Sequence, residues 1–416
     1  MKTVKSERVF VSVSLNILEL FAGVGGFRVG LERADESLFV TKWANQWEPS
    51  KKAQDAFDCY NFHFSDSQNL NEDISKISDE FLENLDLNML VGGFPCQDYS
   101  VARSLSGGMG IEGKKGVLFW EIVRAIRLAK PNFVLLENVD RLLKSPSTQR
   151  GRDFSIMLAA FNELGYSVEW RVINAAEYGF AQRRRRIYIF AYRNDLNFYH
   201  EQQKYSDDEL LFSEGFFAKE FPVEKFVVKD RITIGELSHD IVEISDSYSA
   251  TLYNSGVMRD GKFTSIETAP IEEKAITLGE ILQPEAEVDD KYYLSDEKLE
   301  KFKYLRGSKK IERTSKTGHT YTFSEGGMSE TDDLDKPGRT MLTSESSINR
   351  STHIVKVGDR HRVLTPIECE RLNGFPDNWT NTMNDRMRYF CMGNALVTGV
   401  IERIGKRIKT ITIEND

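Results

Sequence analysis

LNILELFAGVGG, residues 15–26, is a short apolar run that breaks into a glycine-rich turn. Six residues dominated by Leu and Ile have the length of a buried β-strand, and Gly23, Gly25 and Gly26 permit a sharp turn from that strand into a helix. The unit then repeats. FVTKWA (39–44) reads as a second strand, followed by the helical SKKAQDAFDCY. From Val117 to Lys130 the residues Leu118, Ile122, Val123 and Ile126 share one helical face, and Pro131 stops that helix before the strand FVLL. Phe154, Leu158, Phe161 and Leu164 repeat the helical spacing with Gly165 as a C-terminal cap, and IYIFAY (187–192) is a further strand behind the basic run RRRR. Strands alternating with helices predict an α/β fold, a mostly parallel sheet covered on both faces. In such sheets ligands gather at the carboxyl ends of the strands. FAGVGG, VGGFPCQ (91–97) and Glu137-Asn138 of LLENV each stand just past a predicted strand, so three distant loops should meet along one edge.

Composition sets the frame around that core. With 416 residues, 40% hydrophobic and 29% charged, the chain can bury one large core or two moderate ones and is neither disordered nor fibrous. No apolar run approaches the roughly 20 residues that cross a bilayer, and MKTVKSERVF lacks the apolar segment of a secretory signal, so a cytoplasmic protein without a membrane partner is expected. Cys59, Cys96, Cys369 and Cys391 form no CxxC pair, which points to neither a disulfide framework nor a metal site. The net charge of −9 argues mildly against a polyanionic partner, although a local basic surface can decide binding whatever the total.

After Asn194 the chain becomes richer in Ser, Thr, Asp and Glu, with short strand candidates such as KFVVKDRITI and GHTYTF. A catalytic domain over residues 1–195 is therefore expected to give way to a smaller domain over 196–380, variable over about 196–350. Residues 381–416 would form a helical segment returning to the first domain. Within the smaller domain, residues 301–316 hold seven basic residues against one acid, with Phe302 and Tyr304 interleaved. That stretch suits contact with phosphates, and equally a solvated helix face. The chain closes with RVLTPIECERLNGFPDNW (362–379) and the helical GNALVTGVIERIGKRI (393–408).

Several residues carry chemistry on their own type and place. Cys96, at a strand end between glycines and a proline, is either a nucleophile or a small buried hydrophobe. Glu137, after a buried strand, can donate a proton or serve as a cap or ion-pair partner. Alternation along AQRRRRIYIF puts Arg184 and Arg186 on one face and Arg183 and Arg185 on the other. The turn at residues 21–26 is not GxGxxG and no phosphate-binding lysine follows it. Trp47 and Leu118, read alone, are core residues.

Taken in order, ELFAGVGGF, GGFPCQDYS, LLENV, AQRRRRIYIF, LTPIECERLNGFP and MGNALVTGVI resemble the ordered motifs of the cytosine-5 DNA methyltransferases, of the bacterial restriction-modification type. The resemblance covers nearly all of residues 15–195 and 360–408, and the segment between lies where that family has its target-recognition domain. It implies a Rossmann-like, S-adenosylmethionine-dependent methyltransferase domain with a smaller mixed domain. Phe21, Gly23, Gly25 and Gly26 would hold the amino-acid end of the cofactor, Trp47 the adenine face and Asp73 the adenine amino group, while Pro95, Leu118 and Asn394 line the pocket. Gln46 stands where many members have a glutamate for the ribose hydroxyls, and its carbonyl oxygen is expected to accept from them more weakly.

The same resemblance assigns the reaction. Cys96 would add to carbon 6 of a flipped cytosine and Glu137 would serve ring nitrogen 3, with Arg186 near the cytosine carbonyl and Arg184 near the cysteine and the target phosphate. Gln97, Ser100 and the loop bearing Gly107, Gly108, Gly110, Gly113 and Gly116 would close over double-stranded DNA, and Thr340 of GRTMLTSE would support the flipped base, although Met341 replaces the family's leucine. No side chain presents itself as the base that removes the carbon 5 proton; bound water is expected there. A monomer is implied, with a cognate restriction endonuclease acting on the same site without a stable complex. Two other readings stand beside this one: a tRNA cytosine-5 methyltransferase, and a catalytically silent DNA-binding relative.

Overall fold

A computed structural model describes residues 14–49, 51–95, 118–225, 231–238, 243–244, 250–315 and 318–414. The expected alternation is present: β1 (Leu15–Leu20), α1 (Gly26–Asp35), β2 (Phe39–Asn45), α2 (Asp55–His63), β3 (Gln68–Leu70), β4 (Met89–Gly93), α3 (Leu118–Ala129), β5 (Phe133–Val139) and α4 (Arg152–Glu163). These five strands run parallel in the order β3-β2-β1-β4-β5. The order reverses between β1 and β4, which opens a crevice at their carboxyl ends. Strand alternation divides the core between the two faces. Leu18, Leu20, Leu90 and Leu136 pack with Phe119, Ile122 and Phe154, whereas Ile17, Met89, Val91 and Leu135 pack with Phe27, Ile401 and Ile404.

Beyond β5 the sheet turns antiparallel. It continues β5-β7-β6-β9-β10-β8, with β6 (Tyr166–Asn174), β7 (Arg185–Arg193), β8 (Ile232–Glu236), β9 (Ser255–Arg259) and β10 (Lys262–Ile266). Strand β6 was not among the expected elements. Its alternation carries Ser167, Glu169 and Arg171, which look solvent-facing but are buried. Glu169 accepts the Phe216 N–H at 2.9 Å, and Arg171 donates to the carbonyls of Phe221 at 2.8 Å and Leu211 at 2.5 Å. The polar face thus satisfies backbone groups of the segment folded over it.

Two consequences follow for the site and the boundary. Because β7 is antiparallel to β5, with Arg186 opposite Val139, the arginine run at its start lies on the edge where the parallel strands end. The expected boundary at residue 195, on the other hand, falls at no edge of the sheet, since β8, β9 and β10 extend it by pairing outward from β6.

Later elements include α5 (Asp296–Arg306), the hairpin β11 (Lys309–Thr314) and β12 (Thr320–Glu325), the hairpin β13 (Ile354–Val357) and β14 (Arg360–Val363), α6 (Pro366–Leu372), α7 (Asp385–Asn394) and α8 (Thr398–Glu414). The closing helical stretch is therefore two helices. The chain becomes extended at Ala395, where ψ is 153°, and α8 then packs on α1. Gly30 makes that packing possible: a Cβ there would lie 2.5 Å from Ile401 Cβ and 2.6 Å from the Thr398 carbonyl oxygen. Gly30→Ala is accordingly expected to lower stability by about 1–3 kcal/mol, seen as a lower urea midpoint with an unchanged slope.

Candidate active site

A cavity of about 500 Å³ occupies the crevice beyond β1 and β4. Its first wall is the turn after β1. Phe21 has φ 55°, a conformation that costs a bulky residue free energy and is tolerated where surrounding structure enforces it. Gly23 has φ 56° and donates its N–H to Gln46 Oε1 at 2.8 Å. Gly25, with φ 90° at the start of α1, has no room for a side chain, since a Cβ would lie 2.5 Å from the Phe64 ring. Phe21, Gly23 and Gly26 line the cavity, whereas Gly25 is not in its wall.

Gln46, Trp47, Asp73, Pro95, Leu118 and Asn394 line the same cavity. Trp47 keeps 37% of its surface exposed, so an indole face is available to a planar ligand. Asp73 caps the short turn Ile74–Lys76, its Oδ1 accepting from the Ser75 N–H at 3.0 Å and the Ser75 hydroxyl at 2.8 Å. Gln46 Oε1 accepts from the Gly23 N–H with one of its two lone pairs, which leaves the other lone pair and the amide NH₂ for a ligand.

The opposite wall carries the ionisable groups. Gly93 pairs with Glu137 across β4 and β5, and a Cβ on Gly93 would be 3.3 Å from Glu137 Oε2. Asn138 Nδ2 donates to the Phe94 carbonyl at 2.9 Å, which fixes the chain entering Pro95 beside Glu137. Cys96, Gln97, Ser100 and the glycines of the following loop lie outside the described residues. Glu137 Oε1 pairs with Arg186 Nε at 2.9 Å. Burial pushes the Glu137 carboxyl up, and Arg186 and Arg184 oppose it.

As alternation requires, Arg184 and Arg186 line the cavity while Arg183 and Arg185 are exposed. Arg184 is buried and donates to the carbonyls of Met341 at 3.2 Å and Gly393 at 3.0 Å; burial, with Arg186 beside it, pulls its guanidinium down to about 9. The Thr340 hydroxyl donates to the Arg183 carbonyl, and Thr340 is not in the cavity wall. Gln182 and Asn373 escaped sequence reasoning. Gln182 Oε1 accepts the Met341 N–H at 3.0 Å, its Nε2 donates to Asn373 Oδ1 at 2.7 Å, and Asn373 Nδ2 donates to the Met392 carbonyl at 2.8 Å. Both are buried amides in irregular segments, where no periodicity marks them.

Residues 15–410 match the family of C-5 cytosine-specific DNA methylases. The chain belongs to this family. It is 59% identical to the Type II methyltransferase M.Sau3AI of Staphylococcus aureus, covering 97% of each chain. It is 26% identical to the Type II methyltransferase M.HhaI of Haemophilus parahaemolyticus, over 95% of this chain and 94% of that one. Among solved structures, a Spodoptera frugiperda DNMT2 mutant shares the fold, with a TM-score of 0.58 at 15% identity over 95% of this chain and 100% of that one.

Three features bear on how this methylase works. First, Cys59, Cys369 and Cys391 are buried packing residues. Burial pushes the Cys59 thiol up to about 12 and the other two higher, so Cys391 remains a thiol although it touches the cavity. Second, the basic stretch is largely neutralised. Lys301, Lys303, Arg306 and Lys309 pair with Glu297, Glu300, Asp332 and Glu325, and Lys316 lies outside the described residues. Lys310 and Arg313 remain on the exposed hairpin, Arg313 stacked 3.9 Å over the Phe323 ring. Third, among the described residues no group of His, Cys, Asp and Glu could hold a metal, and no helix is long and apolar enough to cross a membrane.

Glu19, at the end of β1, is fully buried and accepts from the Tyr60 hydroxyl at 2.9 Å. Burial pushes its carboxyl up from the ordinary 4.5 to about 8. The folded state therefore holds this proton more tightly than the unfolded one, and the associated stability is present below pH 4.5 and lost as pH rises to about 8. Glu19→Gln should flatten the fall in unfolding free energy measured between pH 5 and pH 8.

Proposed function

We propose that this methylase binds S-adenosylmethionine and double-stranded DNA and methylates carbon 5 of a cytosine flipped out of the duplex. The observation that carries the reading is the meeting, in one cavity, of the glycine turn after β1, the strand end leading into Cys96, and the Glu137–Arg186 pair. An exposed indole, a backbone turn without a phosphate-binding lysine and a nearby carboxylate suit the adenine and amino-acid ends of the cofactor. When bound, the cofactor supplies an electrophilic methyl group.

The residues of the chain supply the rest. Carbon 5 of cytosine is a poor nucleophile, and addition of the Cys96 thiolate to carbon 6 forms an S–C bond that moves electron density onto ring nitrogen 3 and carbon 5. Glu137, whose burial favours the protonated form while Arg186 and Arg184 oppose it, gives its proton or a strong hydrogen bond to nitrogen 3. Arg186 orients that carboxyl and faces the cytosine carbonyl. Arg184 ties the site to residues 341 and 393 and places positive charge beside the thiolate. Once carbon 5 has taken the methyl group its proton leaves to bound water, the S–C bond breaks, Cys96 departs as thiolate, and any proton given to nitrogen 3 returns to Glu137.

In this reading Gln97, Ser100 and the glycine-rich loop cover the DNA, while Thr340, anchored to Arg183, supports the flipped base. The enzyme acts as a cytoplasmic monomer and protects host DNA from an endonuclease that cuts the same sequence without binding the methylase stably. Transfer of labelled methyl groups to duplex DNA and not to tRNA, followed by bisulfite sequencing, tests the proposal. Labelling of tRNA alone points to the RNA-modifying alternative, and labelling of neither to the silent one.

A further inference from the structure

The arginine run at the start of β7 divides between two environments. Arg184 and Arg186 line the cavity, whereas Arg183 and Arg185 stand outside its wall with exposed side chains, that of Arg185 at 52%. The inward pair has a task in the reaction; the outward pair has none. Arg183 donates its N–H to the Gly338 carbonyl at 2.8 Å and accepts the Thr340 hydroxyl on its own carbonyl, so its place beside Thr340 is fixed. Arg185 Nε reaches Asp140 Oδ2 at 3.4 Å, on the turn Asp140–Lys144 that follows the cavity residue Val139. Arg141 and Lys144 are exposed on that same turn.

These cations stand unmatched in an acidic chain. The net charge is −9, and elsewhere on the surface cations sit against carboxylates, as Lys204 does against Glu201, Lys301 against Glu297 and Arg403 against Glu273. Among the described residues Arg141, Lys144 and Arg183 enter no ion pair, and the pair of Arg185 with Asp140 is exposed on both sides and therefore weak. Four like charges on two joined segments repel one another, a cost that a bound polyanion relieves. A nucleotide turned into the cavity leaves its own phosphates outside it, still joined to the strand on either side.

We propose that Arg141, Lys144, Arg183 and Arg185 form a rim that binds the DNA phosphates flanking the flipped cytosine. The run of four arginines then serves the base with its inward pair and the backbone with its outward pair. This assignment rests on the substrate being duplex DNA. Contacts to phosphate position the strand without reading its sequence, and each displaces condensed counterions, so the rim makes binding steeply dependent on salt.

Fluorescence anisotropy of the full-length protein on a labelled duplex bearing the sequence it methylates, read between about 50 and 200 mM salt, tests this without requiring turnover. Each phosphate contact removed should flatten the slope of log affinity against log salt by about 0.9. Arg183→Gln with Arg185→Gln, and separately Arg141→Gln with Lys144→Gln, should each flatten it by about 1 to 2 and weaken binding at about 100 mM salt by roughly tenfold to a hundredfold. Lys406→Gln with Lys409→Gln removes the same charge from α8, where neither residue lines the cavity, and should leave the slope unchanged. A thermal melt matching that of the parent protein confirms that each variant is folded. An unchanged slope in either rim pair, or an equal change in the α8 pair, overturns the assignment while leaving the DNA reading standing. Failure of the unsubstituted protein to bind duplex DNA, with binding of tRNA instead, removes the substrate reading and this inference together.

Discussion

Cys96→Ala should abolish methyl transfer, with a loss on the order of 10⁴–10⁶-fold, the scale seen when a covalent nucleophile is removed. The physical reason is that no other group can make carbon 5 electron-rich. The three other cysteines are held as thiols by burial, and Cys391, the one that touches the cavity, has burial and the neighbouring Glu48 both raising its pKa. The substitution removes one sulfur and leaves the β4 terminus, with its Asn138 to Phe94 bond, intact. Cofactor affinity and DNA affinity should consequently stay within a few-fold of the parent protein, which separates a chemical defect from a folding defect. A single-turnover measurement with labelled S-adenosylmethionine reads the loss directly.

Glu137→Gln should lower the methylation rate by roughly 10²–10⁴-fold, the usual contribution of a positioned proton donor. Glutamine keeps the shape and can still meet Arg186, but it has no acidic proton to give. The direction of the pH dependence follows from burial, which raises the carboxyl, so the protonated form persists to higher pH than an exposed glutamate allows. Activity of the parent enzyme should fall on the alkaline side as that proton is lost, and the residual activity of Glu137→Gln should lack this descending limb. The rising limb at lower pH, which reports formation of the Cys96 thiolate, should survive in the variant. The cost of the substitution to stability should be small, because the amide keeps the shape of a carboxyl whose charged form burial disfavours.

The parallel half of the sheet was legible because its signals are local. Leu15–Leu20 is uniformly buried, so its apolar run needs no context, and Gly25 follows from a backbone geometry that only glycine fits beside Phe64. Trp47, Asp73, Pro95, Leu118 and Asn394 were placed in one pocket by resemblance alone, and they do share one cavity. What sequence reasoning missed depends on partners far along the chain. Strand β6 buries Glu169 and Arg171 against backbone groups near residues 211–221, and a polar alternation looks the same whether water or a carbonyl lies opposite. For the same reason the antiparallel continuation through β9 and β10, which carries the sheet past residue 195, could not be read from composition. Gln46 was recognised as a departure from the family pattern, but its engagement with Gly23 appears only once the turn is folded. The closing stretch 393–408 reads as helical from its residues, whereas the chain leaves the helix at Ala395, where ψ is 153°.

The most direct test of the central claim is trapping on a duplex with 5-fluorocytosine in place of cytosine, in the presence of S-adenosylmethionine. Fluorine at carbon 5 cannot leave as a proton does, so the enzyme should stop with its thiolate still joined to carbon 6. Mass spectrometry of the digested complex should then find one nucleotide linked to the peptide containing Cys96, and Cys96→Ala should give no complex. Folded, cofactor-binding enzyme that forms no adduct, or an adduct on a peptide without Cys96, would contradict the mechanism.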